Sequence, residues 1–183
     1  MSRVWRGRCL GRSGVKLKLT TGALYAALLA VAAYAYAAEP KGFRDVPWGA
    51  SEDTLRFRVP TQSCDIIDPA VDYGTRRCRA RDTVAFGKVT PSAVYFYFRN
   101  DMLVAWRVDV PPRHRQAIAK TLVDHYGRPT TVYPDNHVTW SGPMSDVDFV
   151  GGSAVDSVIA VTKAELRSRE AERQERAKRG AKR

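Results

Sequence analysis

Two pairs of polar side chains in the last third of the sequence have the types and spacing that acid–base chemistry needs. His137 lies two residues after Asp135, and a carboxylate beside a histidine can orient it as a general base. Asp146 and Asp148 alternate along a predicted strand, so both carboxylates project from one face and can serve as acid and base or bind a cation. These pairs are the candidate catalytic groups of a small hydrolase.

Common catalytic and metal-binding motifs are absent from the sequence. It contains no Gly-x-Ser-x-Gly, no His-Glu-x-x-His and no Asp-x-Asp-x-Asp-Gly pattern. His114 and His125 lie eleven residues apart in a predicted helix, or about 16 Å at about 1.5 Å per residue, so they cannot hold one metal. We therefore predict a non-enzymatic protein with no catalytic residues, no metal site and no cofactor, and keep the hydrolase as an alternative.

Four arginines lie close together in the middle of the sequence: Arg76, Arg77, Arg79 and Arg81. Guanidinium groups bind phosphates and carboxylates through paired hydrogen bonds, so the cluster is a candidate site for an anionic partner. The alternative is that these arginines pair with the acids of the preceding loop. Trp48, in a predicted Pro-Trp-Gly turn, is the best candidate for an exposed aromatic platform and completes the predicted binding residues.

Cys64 and Cys78 are predicted to form a disulfide, since two cysteines in an exported domain commonly pair. Their spacing does not match a Cys-x-x-Cys redox pair, and two thiols alone make a poor zinc site. Closing the loop between them is worth about 2–4 kcal/mol of stability. The third cysteine, Cys9, follows Arg-Gly-Arg rather than an apolar run, so it is not a lipid-attachment site.

Residues 1–37 have the pattern of a secretory signal peptide. Six basic and no acidic residues lie within 1–22, and an apolar run of 15 residues then ends on Ala-Tyr-Ala at Ala37. A membrane span needs about 20 residues, so we predict cleavage near Ala37 and a periplasmic or secreted product. The alternative is an uncleaved segment that anchors the protein in the inner membrane. A translation start at Val15 would make residues 1–14 a start-site artefact.

The formal net charge of +11 is concentrated at the two ends of the chain. Residues 1–37 contribute +6, residues 38–162 are neutral with 15 basic and 15 acidic side chains, and residues 163–183 contribute +5. In the envelope, a basic tail of this kind fits an anionic lipid or glycan or an acidic protein. Nucleic acid becomes a partner only if the protein is not exported.

Alternating apolar residues predict a β-hairpin over residues 93–110, with Asn100 and Asp101 in its turn. In each strand one face is apolar, formed by Val94, Phe96 and Phe98 in the first and by Met102, Val104, Trp106, Val108 and Val110 in the second. The preceding segment TVAFGKV, residues 83–89, is predicted as a third strand.

A long helix is predicted to end at Gly127, a residue type that terminates helices. Ile118, Leu122 and Tyr126 repeat every four residues and form an apolar stripe, within which His125 is expected to be half-buried. Four short strands follow this helix. Upstream, Ser51 can cap a short helix that ends before Pro60.

These elements predict an α+β fold. An antiparallel β-sheet carries one long helix packed on one face, a short N-terminal helix and a charged C-terminal helical tail. The domain organisation is a signal peptide over residues 1–37, a single α+β domain over residues 38–162, and a basic tail over residues 163–183 that is helical or disordered.

The segments FRDVPWGAS, YFYFRNDMLVAWRV and HYGRP…HVTW resemble a pattern found in small exported bacterial proteins of unknown function. These have a Trp-Gly-x-Ser helix start and a Tyr-Gly-x-Pro helix end, and the resemblance covers about residues 43–141. The layout is more loosely similar to the small accessory lipoproteins of the outer-membrane assembly machine, although this chain lacks their lipid-attachment cysteine. Neither resemblance implies a catalytic residue.

The predicted function is therefore an exported, non-enzymatic envelope protein that binds a protein or an anionic envelope component. One alternative is a periplasmic inhibitor of a cell-wall-degrading enzyme. The other is the small hydrolase, with His137 and Asp135 or Asp146 and Asp148 as its catalytic groups.

Overall fold

The computed structural model describes residues 39–82 and 84–181 of the chain. The predicted signal peptide, with Cys9 and the alternative start at Val15, lies outside the described residues. Within the described ranges, no helix is long and apolar enough to cross a membrane.

The first half of the described chain contains six strands and one helix. They are β1 (Gly42–Phe43), β2 (Val46–Pro47), α1 (Glu52–Arg58), β3 (Thr61–Ile66), β4 (Arg76–Ala80), β5 (Ala93–Arg99) and β6 (Met102–Val110). The second half begins with a 3₁₀ turn (Pro112–His114) and continues through α2 (Arg115–Tyr126), β7 (Thr131–Val132), β8 (His137–Ser141), β9 (Ser145–Val150), β10 (Asp156–Thr162) and α3 (Lys163–Gly180).

Eight of these strands form one antiparallel sheet in the order β3-β4-β5-β6-β10-β9-β8-β7, and β1 and β2 form a separate ribbon. Strands adjacent in the sheet are also adjacent in the chain, except where β10 pairs with β6 at the centre. The α+β class with an antiparallel sheet, predicted from the sequence, is confirmed.

The predicted hairpin is present as β5 and β6. Asn100 and Asp101 form its turn with φ values of 51° and 60°, a region that asparagine and aspartate tolerate better than most residues. Val94, Phe96 and Phe98 all face the main core, as their alternation predicted.

A β-bulge alters the second strand of this hairpin. The pairing shifts between Tyr97 and Phe98, and Val104 is the extra residue of β6. The inserted residue reverses the alternation at the start of the strand, so Leu103 is buried in the main core and Met102 is 49% exposed. The prediction that Met102 and Val104 share the core face with the later residues is therefore wrong.

The third strand predicted over residues 83–89 is also wrong. In the described part of this segment, Phe86 and Val89 make one isolated bridge around a turn in which Gly87 has a φ of 59°. The place beside β5 is taken by β4. The apolar pattern reflects burial in a loop, since Val89 is only 4% exposed.

Helix α1 begins after Ser51, whose Oγ accepts a hydrogen bond from the Thr54 N–H at 3.2 Å. In α2, Ile118 and Leu122 are fully buried, and the helix ends at Gly127 with a φ of 74°. His125 is exposed rather than half-buried, because an open cavity lies beside the last turn of α2.

Apolar side chains pack on both faces of the sheet. The larger cluster lies between the sheet, α2 and the N-terminal segment, and includes Phe43, Leu55 and Trp106. On the opposite face a smaller cluster of Tyr97, Ala105 and Val161 contacts Ile67, Tyr73 and Leu166. The start of α3 and the loop of residues 67–75 thus cover part of the face opposite to α2.

Helix α3 corresponds to the predicted tail and follows β10 without a linker. Thr162 caps it, with Oγ1 accepting from the Glu165 N–H at 3.2 Å. Glu165 is 1% exposed, and its carboxylate accepts hydrogen bonds from the Gly74 N–H at 2.7 Å and from Arg99 Nε at 2.6 Å. The first turn of the tail is therefore part of the folded domain.

Candidate functional site: an arginine cleft and an aromatic cavity

The predicted disulfide between Cys64 and Cys78 is confirmed, with an S–S distance of 2.05 Å. The two cysteines lie directly opposite each other on β3 and β4. Glu52 Oε1 lies 3.3 Å from Cys64 Sγ, but a disulfide sulfur carries no proton to donate. The ligand atoms of Glu52, Cys64 and Cys78 are as close together as those of a metal site. Cysteine binds a metal as the thiolate, however, and both sulfurs are used in the disulfide, so these residues do not form one.

The four predicted arginines do not form one site. Arg76 binds Glu52 of α1 on the core side of β4, with Nε 2.8 Å from Oε2. Arg77 points to the opposite face, where it lies 3.6 Å from Asp72 and 3.8 Å from Asp65. Both arginines therefore have carboxylate partners. Arg77 pairs with acids of the preceding loop, as the alternative interpretation predicted, whereas the partner of Arg76 lies in α1.

Arg79 and Arg81 are brought together at the end of β4. Both are exposed, and among the described residues neither has a carboxylate within 4.0 Å. They line a cleft of about 90 Å³ together with Gln62, Asp82 and the start of β5. A cleft of this size fits a phosphate, sulfate or carboxylate group rather than a whole ligand.

Trp48 is not the free platform that the sequence suggested. Its indole Nε1 donates to the Pro40 carbonyl at 2.7 Å, and its ring is partly buried against the main core. Because the polar end is used and one side of the ring is covered, Trp48 holds the N-terminal segment against the fold.

The predicted histidine site has a different carboxylate from the one expected. His137 Nε2 lies 3.0 Å from Asp148 Oδ1, whereas no hydrogen bond or ion pair joins it to Asp135 within the described chain. β8 and β9 pair so that Thr139 lies opposite Asp148, and its hydroxyl donates to the same oxygen at 2.6 Å. Tyr133 stacks on the imidazole at 4.7 Å.

Asp146 and Asp148 share a face of β9, as predicted, but each has its own partners. Asp146 binds Lys163 at the start of α3 and accepts a hydrogen bond from the Ser141 hydroxyl at 2.6 Å. Asp148 binds the histidine and threonine of β8. The two carboxylates therefore belong to separate hydrogen-bonded groups and not to one shared site.

Two buried carboxylates, Asp156 and Glu165, have arginine partners that no sequence pattern indicated. Asp156 has a fully buried side chain and accepts from Arg115 Nη2 at 2.7 Å, which raises the pKa of the guanidinium through the hydrogen bond. Glu165 accepts from Arg99 across 66 residues of sequence, and this contact also raises the pKa of Arg99. No local pattern links partners so far apart.

Some of the basic side chains further along α3 contact the loop of residues 67–75 and hold the helix against it. Arg169 lies 4.2 Å above the ring of Tyr73, and Arg176 donates to Asp68 at 2.8 Å. The bond from Arg176 lowers the pKa of Asp68 below its ordinary value. Arg167 and Lys178 are exposed and have no carboxylate within 4.0 Å in the described part of the chain.

An open cavity of about 510 Å³ lies between the N-terminal segment, residues 85–87 and the last turn of α2. Its apolar wall contains four aromatic rings, Phe43, Phe86, Trp106 and Tyr126. Trp106 Nε1 donates to the Gly42 carbonyl at 2.9 Å, which fixes the ring in place. The sequence did not reveal this cavity, since its walls come from four segments that are distant in the chain.

Polar groups line the same cavity. Lys41, Arg44 and His125 contribute basic side chains, and Glu39 contributes an acid. Tyr126 contributes a phenol hydroxyl that can donate a hydrogen bond, and burial raises its pKa to about 12. The cavity therefore combines an aromatic wall with basic side chains.

No protein-family model, curated protein or solved structure matches this chain.

Proposed function

We propose that this protein is an exported, non-enzymatic binding protein of the bacterial cell envelope that binds an anionic envelope component or an acidic protein surface. The observation that carries the proposal is the Arg79–Arg81 cleft. Among the predicted binding residues, these two keep their guanidinium groups exposed and without a carboxylate partner in the described ranges.

The contrast with the other arginines supports a binding role for this pair. Arg76, Arg77, Arg99 and Arg115 all have carboxylate partners that account for their positions. Arg79 and Arg81 make no such ion pair, and the acid that lines their cleft, Asp82, is not within 4.0 Å of either guanidinium group, so both groups remain available to an anion. Paired guanidinium groups favour phosphate and carboxylate through bidentate hydrogen bonds.

The export part of the proposal rests on the sequence pattern of residues 1–37. The Cys64–Cys78 disulfide fits this compartment, because disulfides persist in oxidising environments.

The arrangement around His137 supports a binding protein over the hydrolase. In a catalytic triad the carboxylate and the nucleophile contact different imidazole nitrogens. Here Asp148 and Thr139 both approach Nε2, and the threonine hydroxyl donates to Asp148 at 2.6 Å. A hydroxyl that gives its proton to a carboxylate in this way is not activated as a nucleophile by the histidine.

The experiment is cosedimentation of the purified protein without residues 1–37 with envelope components at low and physiological salt, because that segment is apolar and carries a charge of +6. The components are phosphatidylglycerol vesicles, zwitterionic vesicles, lipopolysaccharide and peptidoglycan. We expect binding to one or more anionic components and a loss of at least about tenfold in the Arg79→Gln/Arg81→Gln variant, since a charge-assisted hydrogen bond contributes about 1.5–3 kcal/mol.

The matched control is the Arg167→Gln/Lys178→Gln variant, which removes the same charge from the exposed side of α3. An equal loss in both variants would show that net charge alone drives binding. The absence of binding to every anionic component would contradict the proposal, as would full binding by the Arg79→Gln/Arg81→Gln variant.

A further inference from the structure

We propose that the cavity beside the last turn of α2 binds an amphipathic anion, with an apolar body against the aromatic wall and a carboxylate or phosphate group at the basic side chains. This goes beyond the proposed function, because it uses no residue of the Arg79–Arg81 cleft and does not depend on the compartment.

The wall of the cavity is built to receive an apolar body. The Phe43 ring packs edge-on against Trp106 at 5.4 Å, and Phe86 lies 6.0 Å from Trp106. Phe43 and Trp106 belong to the main core, so their positions are fixed before any ligand arrives. A volume of about 510 Å³ lies within the range of small-molecule sites, which are mostly apolar with a few placed polar groups.

The basic side chains of the cavity have hydrogen-bond donors to spare. Arg44 Nη2 donates to the Ala85 carbonyl at 2.7 Å, which holds the guanidinium beside the cavity. This bond uses one of the five N–H groups of the side chain, and no carboxylate of the described residues lies within 4.0 Å of it. Lys41 is exposed and likewise has no carboxylate partner among those residues.

The acid that lines the cavity is not placed to bind a cation. Glu39 Oε1 accepts a hydrogen bond from the Met144 N–H at 2.9 Å, and Oε2 is buried and packs against Gly142. Because one oxygen is occupied and the other is inaccessible, the charges that a ligand can reach are those of Lys41 and Arg44. The cavity is therefore complementary to an anion.

The test compares four probes that share a twelve-carbon chain, each used below its micelle concentration. Dodecanoate and dodecyl phosphate are anionic, dodecyl maltoside is neutral, and dodecyltrimethylammonium is cationic. Titrations of the full-length protein are followed by amide NMR shifts. We expect saturable binding of at least one anion that is at least about tenfold tighter than that of the neutral probe, no binding of the cation, and shifts centred on Gly87, Thr121 and Tyr126.

Variants distinguish this cavity from other basic surfaces. Ala85→Trp fills the cavity from an exposed position and is expected to abolish binding, and Lys41→Gln is expected to weaken the anions while leaving the neutral probe unchanged. Lys88→Gln is the control, because Lys88 is exposed in the same loop but does not line the cavity. An Arg79→Gln/Arg81→Gln variant should bind the probes as the unaltered protein does.

Equal affinity for all four probes would overturn the proposal, and so would full binding by a folded Ala85→Trp variant. If Ala85→Trp does not give a native NMR spectrum, the shift map of the unaltered protein and the Lys41→Gln comparison decide the result. Shifts that centre away from the cavity would then overturn it.

Discussion

Arg99 at the end of β5 and Glu165 in the first turn of α3 form a buried ion pair, with Nε 2.6 Å from Oε2. The same guanidinium also binds Glu172, about two turns further along α3, with Nη1 2.7 Å from Oε1. One arginine therefore joins the central hairpin to two turns of the C-terminal helix, and it neutralises a carboxylate whose side chain is fully buried.

Replacing Arg99 with methionine is expected to lower the free energy of unfolding by about 3–5 kcal/mol, because it leaves the Glu165 carboxylate buried without its charge partner. Urea unfolding followed by circular dichroism measures the change. Arg167→Met, an exposed position on α3, is the control and should change stability by less than about 0.5 kcal/mol. A loss below about 1 kcal/mol in Arg99→Met would contradict a structural role for the pair.

The disulfide should contribute about 3 kcal/mol, since it closes a loop of 14 residues between β3 and β4. We expect the Cys64→Ala/Cys78→Ala variant to unfold at a lower urea concentration than the oxidised protein. Reductant should lower the stability of the unaltered protein by a similar amount and leave the variant unchanged. Equal stability with and without reductant would show that the bond is absent or contributes nothing.

Gly74 should not tolerate a side chain. Its φ is 64°, and a Cβ atom at this position would lie 2.4 Å from the Phe98 carbonyl oxygen. Gly74→Ala therefore combines backbone strain of about 1–2 kcal/mol with a clash worth about 1–3 kcal/mol, and it should also disturb the Gly74 N–H bond to Glu165.

The comparison for this glycine is Gly49→Ala. Gly49 has a similar φ of 80° but no atom within 4 Å of the added Cβ, so only the strain remains. Thermal unfolding of both variants measures the difference. If Gly49→Ala is as destabilising as Gly74→Ala, the close approach to Phe98 does not matter.

Alkaline pH should destabilise the protein through Tyr126. Burial raises the pKa of this phenol from 10.0 to about 12 in the folded state, so the folded protein retains the proton more strongly than the unfolded chain. The resulting stability is fully present below pH 10 and is lost as the pH rises towards 12. Urea unfolding at several pH values should show a smaller alkaline loss for Tyr126→Phe, and an identical loss in both proteins would refute this.

Features set by neighbouring residues were predictable from the sequence. The Asn100–Asp101 turn, the cap at Ser51 and the helix end at Gly127 depend on backbone preferences within a few residues, and all three are present. The pairing of Cys64 and Cys78 was also predictable, because a domain with two cysteines has one possible bond between them.

Features set by strand register were not predictable. The bulge at Val104 reverses one face of β6, and residues 83–89 form a loop because β4 pairs with β5 in their place. The same limit applies to the candidate sites. His137 meets Asp148 because β8 and β9 pair, a contact that proximity to Asp135 in the sequence did not indicate.

The sequence by itself determined the class of fold, the disulfide and the types of residue available for binding. Only the tertiary structure decided how those residues are used. It paired Arg76 and Arg77 with carboxylates and left Arg79 and Arg81 exposed in a cleft, because the carboxylates of Glu52, Asp65 and Asp72 reach the start of β4 and not its end. It also assembled the aromatic cavity from segments that are distant in sequence, since the packing of a core, and not chain order, determines which side chains meet.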